Sequence, residues 1–324
     1  MNTQTYFTMI QQARPNVSIK TIYAHLNSIH KIENNMDKLI IDSDLDEVLD
    51  WILKSIDNNN TKANYLCALS VLIDAFQKFG NNIMSNPETT ERFLKKVREN
   101  ISDVKNTIQL NLNDHKKSNI QIDNWISHKQ ILSAIKKQGE VSKELMSHGF
   151  TGSKSTINTI QNWVIQSLYM LDPENPPIRC NYCMKVLYGN NQAFSAFLKS
   201  NNNQNYLIVM DDTMTFVFNK YKTKKHYGQK IHKVGNQLYE VLKLYLNYRS
   251  NPVDLLINTR NKALSENNLS VYIKNAFSIY NKKLTIDTLR HIYISEKVTL
   301  ENSKKVASLM HHSLGEQEQY WKKN

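Results

Sequence analysis

The sequence has few cysteines and no long apolar run. Three cysteines in 324 residues are too few, and odd in number, for a disulfide framework, which excludes a small secreted scaffold and favours a reducing compartment. No stretch approaches the ~18 consecutive apolar residues of a membrane span. The first residues show no basic start followed by an apolar block, so we predict no signal or transit peptide. We therefore expect a protein that stays inside a cell, in the cytoplasm or nucleus of its host, and does not enter a membrane.

Acidic residues are scarce relative to basic ones. The chain has 41 Lys plus Arg against 29 Asp plus Glu, a formal net charge of +12, and this makes polyanions the leading class of partner. Lysine supplies most of the positive charge. A/T-rich codons would produce this excess of lysine without any selection on the protein. The charge alone therefore does not indicate a DNA-binding protein.

The first 112 residues read as short amphipathic helices. Apolar residues recur every 3 to 4 positions and predict helices over residues 18–32, 45–56, 61–79 and 87–104. Ser18 is the expected N-cap of the first of these, Gly80 the expected stop of the third, and Asn86 with Pro87 the expected start of the fourth. We predict a compact all-α domain over residues 1–112.

The remainder of the chain follows a polar stretch and has a different pattern. Residues 113–121 carry no apolar period and are predicted to be a linker, so the second domain is expected over residues 122–324. Helical patterns cover residues 125–135 and 156–170, and prolines then interrupt the chain. Residues 206–218 alternate as two strands around a turn, the only credible sheet. We predict a mainly α protein with a small antiparallel β-sheet.

A spaced set of polar residues stands near the C-terminus. Arg290, His311 and Tyr320 lie 21 and 9 residues apart, in the segments Leu-Arg-His and Leu-Met-His and at a late tyrosine. With these residues the chain resembles the tyrosine recombinases, or phage-integrase family, whose catalytic domains end in the same order of side chains. Singly, these residues could be a structural ion pair, a core histidine and an ordinary tyrosine. Their order and spacing favour the catalytic interpretation.

The resemblance implies a fold and further site residues. It implies an all-α, SAM-like core-binding domain in the N-terminal half and an α+β catalytic domain after it. Arg179, which follows two prolines, takes the place of the family's first arginine. Lys222, after the second predicted strand, takes the place of the hairpin lysine, although nearby lysines are alternatives. The lysines expected to contact DNA are Lys220, Lys224, Lys225, Lys230 and Lys233.

The chemistry explains why these residue types are needed. Arg179 and Arg290 would bind the oxygens of the scissile phosphate, because planar forks of donors stabilise the charge that spreads in a pentavalent transition state. His311 would add a further donor. Tyr320 would attack phosphorus to form a 3′-phosphotyrosyl bond, while Lys222 would protonate the leaving 5′-oxygen. The covalent bond conserves the energy of the phosphodiester, so no metal, nucleotide or other cofactor is expected.

Some positions depart from the family pattern. Asp287 stands where the family usually has a histidine, so the base that accepts the Tyr320 proton stays open between Asp287, His291 and His312. Cys180 and Cys183 form a CxxC beside the first arginine, but no second ligand pair appears. We therefore expect packed thiols and not a zinc site.

The resemblance implies a site-specific recombinase that acts on double-stranded DNA. Four protomers on two DNA sites would exchange strands through a Holliday junction, for integration or excision of a mobile or viral genome. The sequence around Arg179 and Lys222 is similar in style to integrases of large DNA viruses. Two alternatives stay open: a topoisomerase IB-like nicking-closing enzyme, whose second arginine and histidine tend to be further apart, and a catalytically decayed DNA-binding protein, for which Asp287 is the best argument.

Overall fold

The computed structural model describes residues 3–79, 86–149, 152–179, 181–190, 194, 197, 203–278 and 282–323. The chain divides into two compact units, residues 1–114 and 115–324. Helices make up most of the described residues, and the described strands form one four-stranded sheet. The expected mainly α composition with a small sheet is confirmed. None of the described helices is both long enough and apolar enough to cross a membrane.

The first unit is built from amphipathic helices whose apolar faces share one core. The described helices are α1 (Thr3–Ala13), α2 (Ile19–Met36), α3 (Leu45–Ser55), α4 (Asn59–Lys78) and α5 (Pro87–Asn113). The four helices expected from apolar periodicity are confirmed. Helix α1 was not predicted, and it buries Tyr6 and Ile10 in the same core.

Side-chain caps explain where several of these helices begin. The Ser18 hydroxyl accepts a hydrogen bond from the backbone N–H of Thr21 at 3.2 Å, as expected from the sequence. The Asn86 side chain accepts from the N–H of Thr89, and Pro87 is the first residue of α5. Each cap satisfies a donor that has no partner inside the helix. The predicted helix stop at Gly80 lies outside the described residues.

The segment expected to be a linker is partly helical. Helix α5 continues to Asn113, and α6 (Asn119–Asn124) begins directly after Ser118. Ser118 and Gln121 form a capping box, in which each side chain accepts from the other residue's backbone N–H. This reciprocal cap fixes a helix start within a stretch that has no apolar period.

The second unit is an α+β unit with its own core. The helices that follow α6 in the described residues are α7 (His128–Ser147), α8 (Lys154–Met170), α9 (Lys224–Tyr227), α10 (Asn236–Tyr248), α11 (Glu266–Ala276), α12 (Ile286–Lys297), α13 (Ser303–Leu309) and α14 (Leu314–Tyr320). Helix α8 is buried along most of its length and packs against α7, α10 and α11. It leads into the proline-rich segment that ends at Arg179.

The sheet differs in part from the prediction. Its strands are β1 (Lys185–Tyr188), β2 (Tyr206–Met210), β3 (Thr213–Phe218) and β4 (Lys230–Lys233), in that spatial order. The β2–β3 hairpin is confirmed. The expectation of an antiparallel sheet is wrong at one edge, because β1 pairs with β2 in parallel. Strand β4 lies in the lysine-rich stretch after β3 and was not predicted; it pairs antiparallel with β3.

The proline-rich segment after α8 is bound to the start of α10. The buried Asp172 carboxylate accepts from the backbone N–H groups of Gln237 and Leu238, and Asn175 accepts from that of Gly235. A carboxylate at a helix N-terminus is favoured by both the hydrogen bonds and the helix dipole. These bonds tie the chain just before Arg179 to the chain just after β4.

Candidate active site

Arg290 is the centre of the site and is fully buried. Thr285 caps the start of α12 by accepting from the N–H of Thr288, and Arg290 follows on a buried face of that helix. Its Nη2 atom donates to Nδ1 of His312 at 2.9 Å, and its Nη1 atom donates to the carbonyl oxygen of Pro177 at 3.4 Å. The Nε atom has no hydrogen-bond partner among the described residues.

The hydrogen-bond partners of Arg290 are neutral groups. Its hydrogen bonds go to an imidazole and a carbonyl, and neither carries a negative charge. Burial lowers the pKa of the Arg290 guanidinium and the Arg179 charge acts in the same direction, whereas the Tyr320 phenol and the Asp287 carboxylate act in the opposite direction. Taking a cation out of water without a counter-charge costs several kcal/mol. The geometry is therefore that of a site prepared for an anion.

Tyr320 packs directly against this arginine. It is the last residue of α14, and the centre of its half-buried ring lies 4.5 Å from the guanidinium carbon of Arg290. The rings of His291 and His312 lie 5.0 and 5.8 Å from it. The His291 Nδ1–H group donates to the main-chain carbonyl of Tyr320 at 2.7 Å. One arginine, two imidazoles and a phenol thus form one cluster.

Arg179 approaches the cluster from the proline-rich segment. Its Nη2 atom donates to Oε1 of Glu316 at 2.6 Å, and both side chains are about one-third exposed. Glu316 stands four residues before Tyr320 on α14, so the two side chains lie on one face of that helix. The carboxylate that binds the first arginine therefore comes from the helix that carries the tyrosine.

The two adjacent histidines point to different partners. His312 accepts from Arg290 at Nδ1, so its proton is on Nε2, which donates to Oε1 of Gln317 at 3.4 Å. Burial and the Arg290 charge lower the pKa of His312 to about 4. His311, the residue predicted from the nine-residue spacing, instead meets Nε2 of His232 on β4 at 2.9 Å. The structure brings Arg290, Tyr320 and His312 together and directs His311 to the β3–β4 segment.

The predicted lysines occupy different environments on that segment. Lys222 is exposed, and the neighbouring Thr223 hydroxyl donates to the carbonyl of His311 at 2.9 Å. Lys230 lines a cleft together with His311 and His312. Of the other four predicted lysines, Lys220 forms an ion pair with Glu266 and Lys224 begins α9. Lys225 and Lys233 are exposed.

Asp287 and His291, two of the candidate bases from the sequence, also lie near the cluster. Asp287 is exposed in the first turn of α12, three residues before Arg290. His291 is partly buried, and burial lowers its pKa. Because the Nδ1 proton of His291 is bonded to a carbonyl, this nitrogen does not accept the proton of the phenol. Cys183 is partly buried and Cys180 lies outside the described residues, so the CxxC is not described as a pair.

The chain is similar to a solved recombinase. A crystal structure of XerA recombinase aligns over 100% of this chain and 95% of that chain, with 12% identity and a TM-score of 0.39. No protein-family model matches the chain. No curated protein matches it either.

Sequence reasoning missed three contributors to the site. His232 and Gln317 were not predicted at all, and no motif distinguishes them in the sequence. Glu316 carried a signal, since an acid four residues before a helical tyrosine shares its face. His312 was considered only as a possible base, but its contacts make it a donor beside Arg290.

The buried histidines predict loss of stability in acid. Burial is the main cause that lowers the pKa of His311 to about 3 and those of three further histidines to about 4, namely His128, His232 and His312. Between about pH 6.5 and 4 the unfolded chain binds protons that the folded chain does not. We expect the free energy of unfolding to fall with decreasing pH, by about 1.4 kcal/mol per pH unit for each histidine.

Circular dichroism during an acid titration measures this effect. His128→Phe removes one buried imidazole beside Tyr293 and is expected to move the acid transition to lower pH. The matched control, His226→Phe, changes an exposed histidine and is expected to leave the transition unchanged. An acid transition that does not respond to His128→Phe contradicts this account.

Proposed function

We propose that this chain cleaves and rejoins DNA strands, with Tyr320 as the nucleophile. The observation that carries the proposal is the buried Arg290 guanidinium, whose partners are an imidazole and a carbonyl instead of a carboxylate. A phosphodiester anion would supply the missing charge. The tyrosine ring 4.5 Å away is the group in contact with this anion site that can act as a nucleophile on phosphorus.

Three side chains would bind the scissile phosphate. Arg290 and Arg179 offer planar forks that match phosphate oxygens, and arginine does this better than lysine. We assign the imidazole donor to His312, because Arg290 orients its Nδ1 and its Nε2 carries the proton; a phosphate oxygen would replace Gln317 as the acceptor of that proton. His311 faces the β3–β4 segment, so we do not assign it a contact with the phosphate.

The proposed reaction is a transfer of the phosphoryl group. The Tyr320 oxygen attacks phosphorus, the bond to the 5′-oxygen breaks, and a 3′-phosphotyrosyl ester forms. The departing 5′-oxygen takes a proton from a lysine of the β3–β4 segment, predicted from the sequence to be Lys222. Attack by a 5′-hydroxyl on the ester reverses the step. The bond energy is retained, so the chemistry needs no nucleotide.

We infer further that this activity serves site-specific recombination. The net charge of +12 favours double-stranded DNA as the partner. Four protomers on two sites, exchanging strands in pairs, would use the cleavage reaction described above. Integration or excision of a viral or mobile genome is the process in which we propose that this recombination takes place.

Trapping the covalent intermediate tests the proposed function. The full chain is incubated with a pool of randomised duplexes, each nicked near its centre so that the cut strand diffuses away and rejoining fails. Denaturation with detergent, capture of protein-bound DNA, and digestion with nuclease and protease then leave a nucleotide on the modified peptide. We expect mass spectrometry to find this nucleotide on Tyr320, and sequencing of the captured DNA to reveal the preferred site.

Each outcome separates the alternatives. Binding of the duplex pool without any detergent-resistant complex would leave a DNA-binding protein and overturn the proposal. A nucleotide on a residue other than Tyr320 would overturn the assignment of the nucleophile. Relaxation of any supercoiled plasmid by a monomer, without site preference, would favour a topoisomerase over a recombinase.

A further inference from the structure

A polar cleft of about 500 Å³ lies between helices α8 and α11, and its described lining residues include none of the candidate active site. Its volume is in the range of small-ligand sites, roughly 300–1,000 Å³. Five of the eight described residues that line it are asparagines, one is an arginine, and none is acidic. The rest of α8 is mostly buried in the apolar core. The cleft therefore interrupts that packing with a surface suited to a polar ligand.

Four of the asparagine side chains in this cleft make no hydrogen bond with any described residue. Asn158 and Asn162 stand one turn apart on α8 and are half-buried, and Asn268 and Asn275 border the cleft from α11. A carboxamide has a donor beside an acceptor. Half-buried amides without a protein partner take one from outside the chain, and a ligand whose edge carries an acceptor beside a donor would match them.

A rigid turn brings the cation of the cleft to its border. The Asn258 side-chain oxygen accepts from the backbone N–H groups of Arg260 at 2.8 Å and Lys262 at 3.2 Å, and the Asn258 N–H donates to the Lys262 carbonyl. Arg260 is exposed and lines the cleft, and it forms no ion pair with a described acid. Its planar guanidinium is thus free to bind a phosphate in two hydrogen bonds.

Tyr272 gives the cleft an aromatic surface. It is half-buried and packs against the core of the second unit. It stands four residues after Asn268 and three before Asn275, so the three side chains share one face of α11. Nucleobases stack on aromatic side chains. Adenine presents its 6-amino donor beside the N7 acceptor and pairs with a carboxamide, whereas guanine presents two acceptors on that edge and pairs with arginine or lysine.

We propose that this cleft binds a free adenine nucleotide, with the base against Tyr272 and the asparagines and the phosphate on Arg260. A monophosphate is the expected ligand, because the described lining includes a single cation. The nucleotide is bound and not consumed, so no bond is made or broken. This inference goes beyond the proposed function and does not depend on it, since the two sites share no described residue.

Isothermal titration calorimetry of the full chain with adenosine 5′-monophosphate, in the absence of DNA, tests the proposal. We expect saturable binding of one nucleotide per chain. Inosine 5′-monophosphate replaces the 6-amino donor with an acceptor, and we expect it to bind about tenfold more weakly. Ribose 5-phosphate keeps only the phosphate contact and should bind more weakly than either nucleotide.

Two variants locate the binding site in the cleft. Arg260→Met removes the phosphate donor and Asn162→Leu removes one carboxamide, and we expect each to weaken binding of the adenine nucleotide about tenfold. The matched controls are Lys274→Met and Asn267→Leu, which change exposed residues of α11 that do not line the cleft. Both controls should bind within about twofold of the unaltered chain. Thermal unfolding checks that each variant folds, and the exposed Asn268→Leu replaces Asn162→Leu if the latter does not.

Each contrary outcome overturns a stated part of the proposal. Absence of saturable binding overturns it entirely, and equal affinities for the adenine and inosine nucleotides overturn the choice of base. Unchanged affinity in Arg260→Met and Asn162→Leu would place the nucleotide outside the cleft. Tighter binding of a single-stranded oligodeoxyadenylate than of the mononucleotide would make unpaired DNA the ligand. Because none of these measurements involves cleavage, a chain that binds the nucleotide but forms no covalent adduct contradicts only the proposed function.

Discussion

Tyr320→Phe is expected to abolish the covalent adduct while DNA binding changes by less than about twofold. The substitution removes one oxygen and keeps the ring, which carries the contacts with Arg290, His291 and His312. The carbonyl that accepts from His291 is a backbone group and is retained. Removal of a nucleophile typically lowers the rate by on the order of 10⁴-fold or more. Adduct formation on the captured DNA site, followed on denaturing gels, measures the effect.

The control for this prediction is a second tyrosine of the same unit. Tyr239→Phe changes a partly buried tyrosine on α10, and we expect it to form the adduct at the rate of the unaltered chain. Fluorescence anisotropy with labelled duplex compares binding of the three proteins. Persistence of the adduct in Tyr320→Phe would mean that another side chain attacks the phosphate.

Arg290→Met is expected to separate catalysis from stability. Adduct formation should fall about 10³-fold, because a buried charged donor aimed at the phosphate is lost. The free energy of unfolding should change by less than about 1–2 kcal/mol, because relief from burying a cation is offset by loss of the donor to His312 and Pro177. Denaturant titration and the adduct assay on the same preparations measure both quantities. A loss of stability of several kcal/mol would instead indicate that Arg290 is mainly a structural residue.

Arg249→Met is the matched control for that experiment. Arg249 is a partly buried arginine on the same unit, and its Nη1 atom donates to the carbonyls of Asp254 and Leu255 and contacts the Tyr245 hydroxyl. Its loss leaves these acceptors without their donor, so we expect a decrease of about 1–3 kcal/mol in the free energy of unfolding. The rate of adduct formation should stay within about threefold. The two arginines are thus expected to respond in opposite ways.

Most of the helices could be predicted because their determinants are local. The cap at Ser18, the Asn-Pro start of α5 and the apolar stripes act within one or two turns, so the sequence carries them directly. The parallel pairing of β1 with β2 joins residues about 20 positions apart, Lys185 with Tyr206. Such pairing depends on the packing of the whole unit, and no local pattern reveals it.

The site could be predicted in part for the same reason. Spacing identified Arg290 and Tyr320, which the structure brings together through α12 and α14. Spacing does not determine which of two adjacent histidines faces them, because the left-handed turn at His311 reverses the direction of the next side chain. Likewise, the position of Lys230 in a strand could not be predicted, because the pairing of β4 with β3 is not a local property.

In the proposed mechanism, the bond between Arg179 and Glu316 competes with binding of the phosphate. A phosphate that takes the donors of Arg179 must displace a carboxylate that belongs to the same helix as the attacking phenol, one turn earlier. The exchange detaches that helix from the proline-rich segment, and a partly exposed pair of this kind contributes about 1 kcal/mol. Binding of the substrate would thereby increase several-fold the population of conformations in which α14 is released from the proline-rich segment. No other protein is needed for this change.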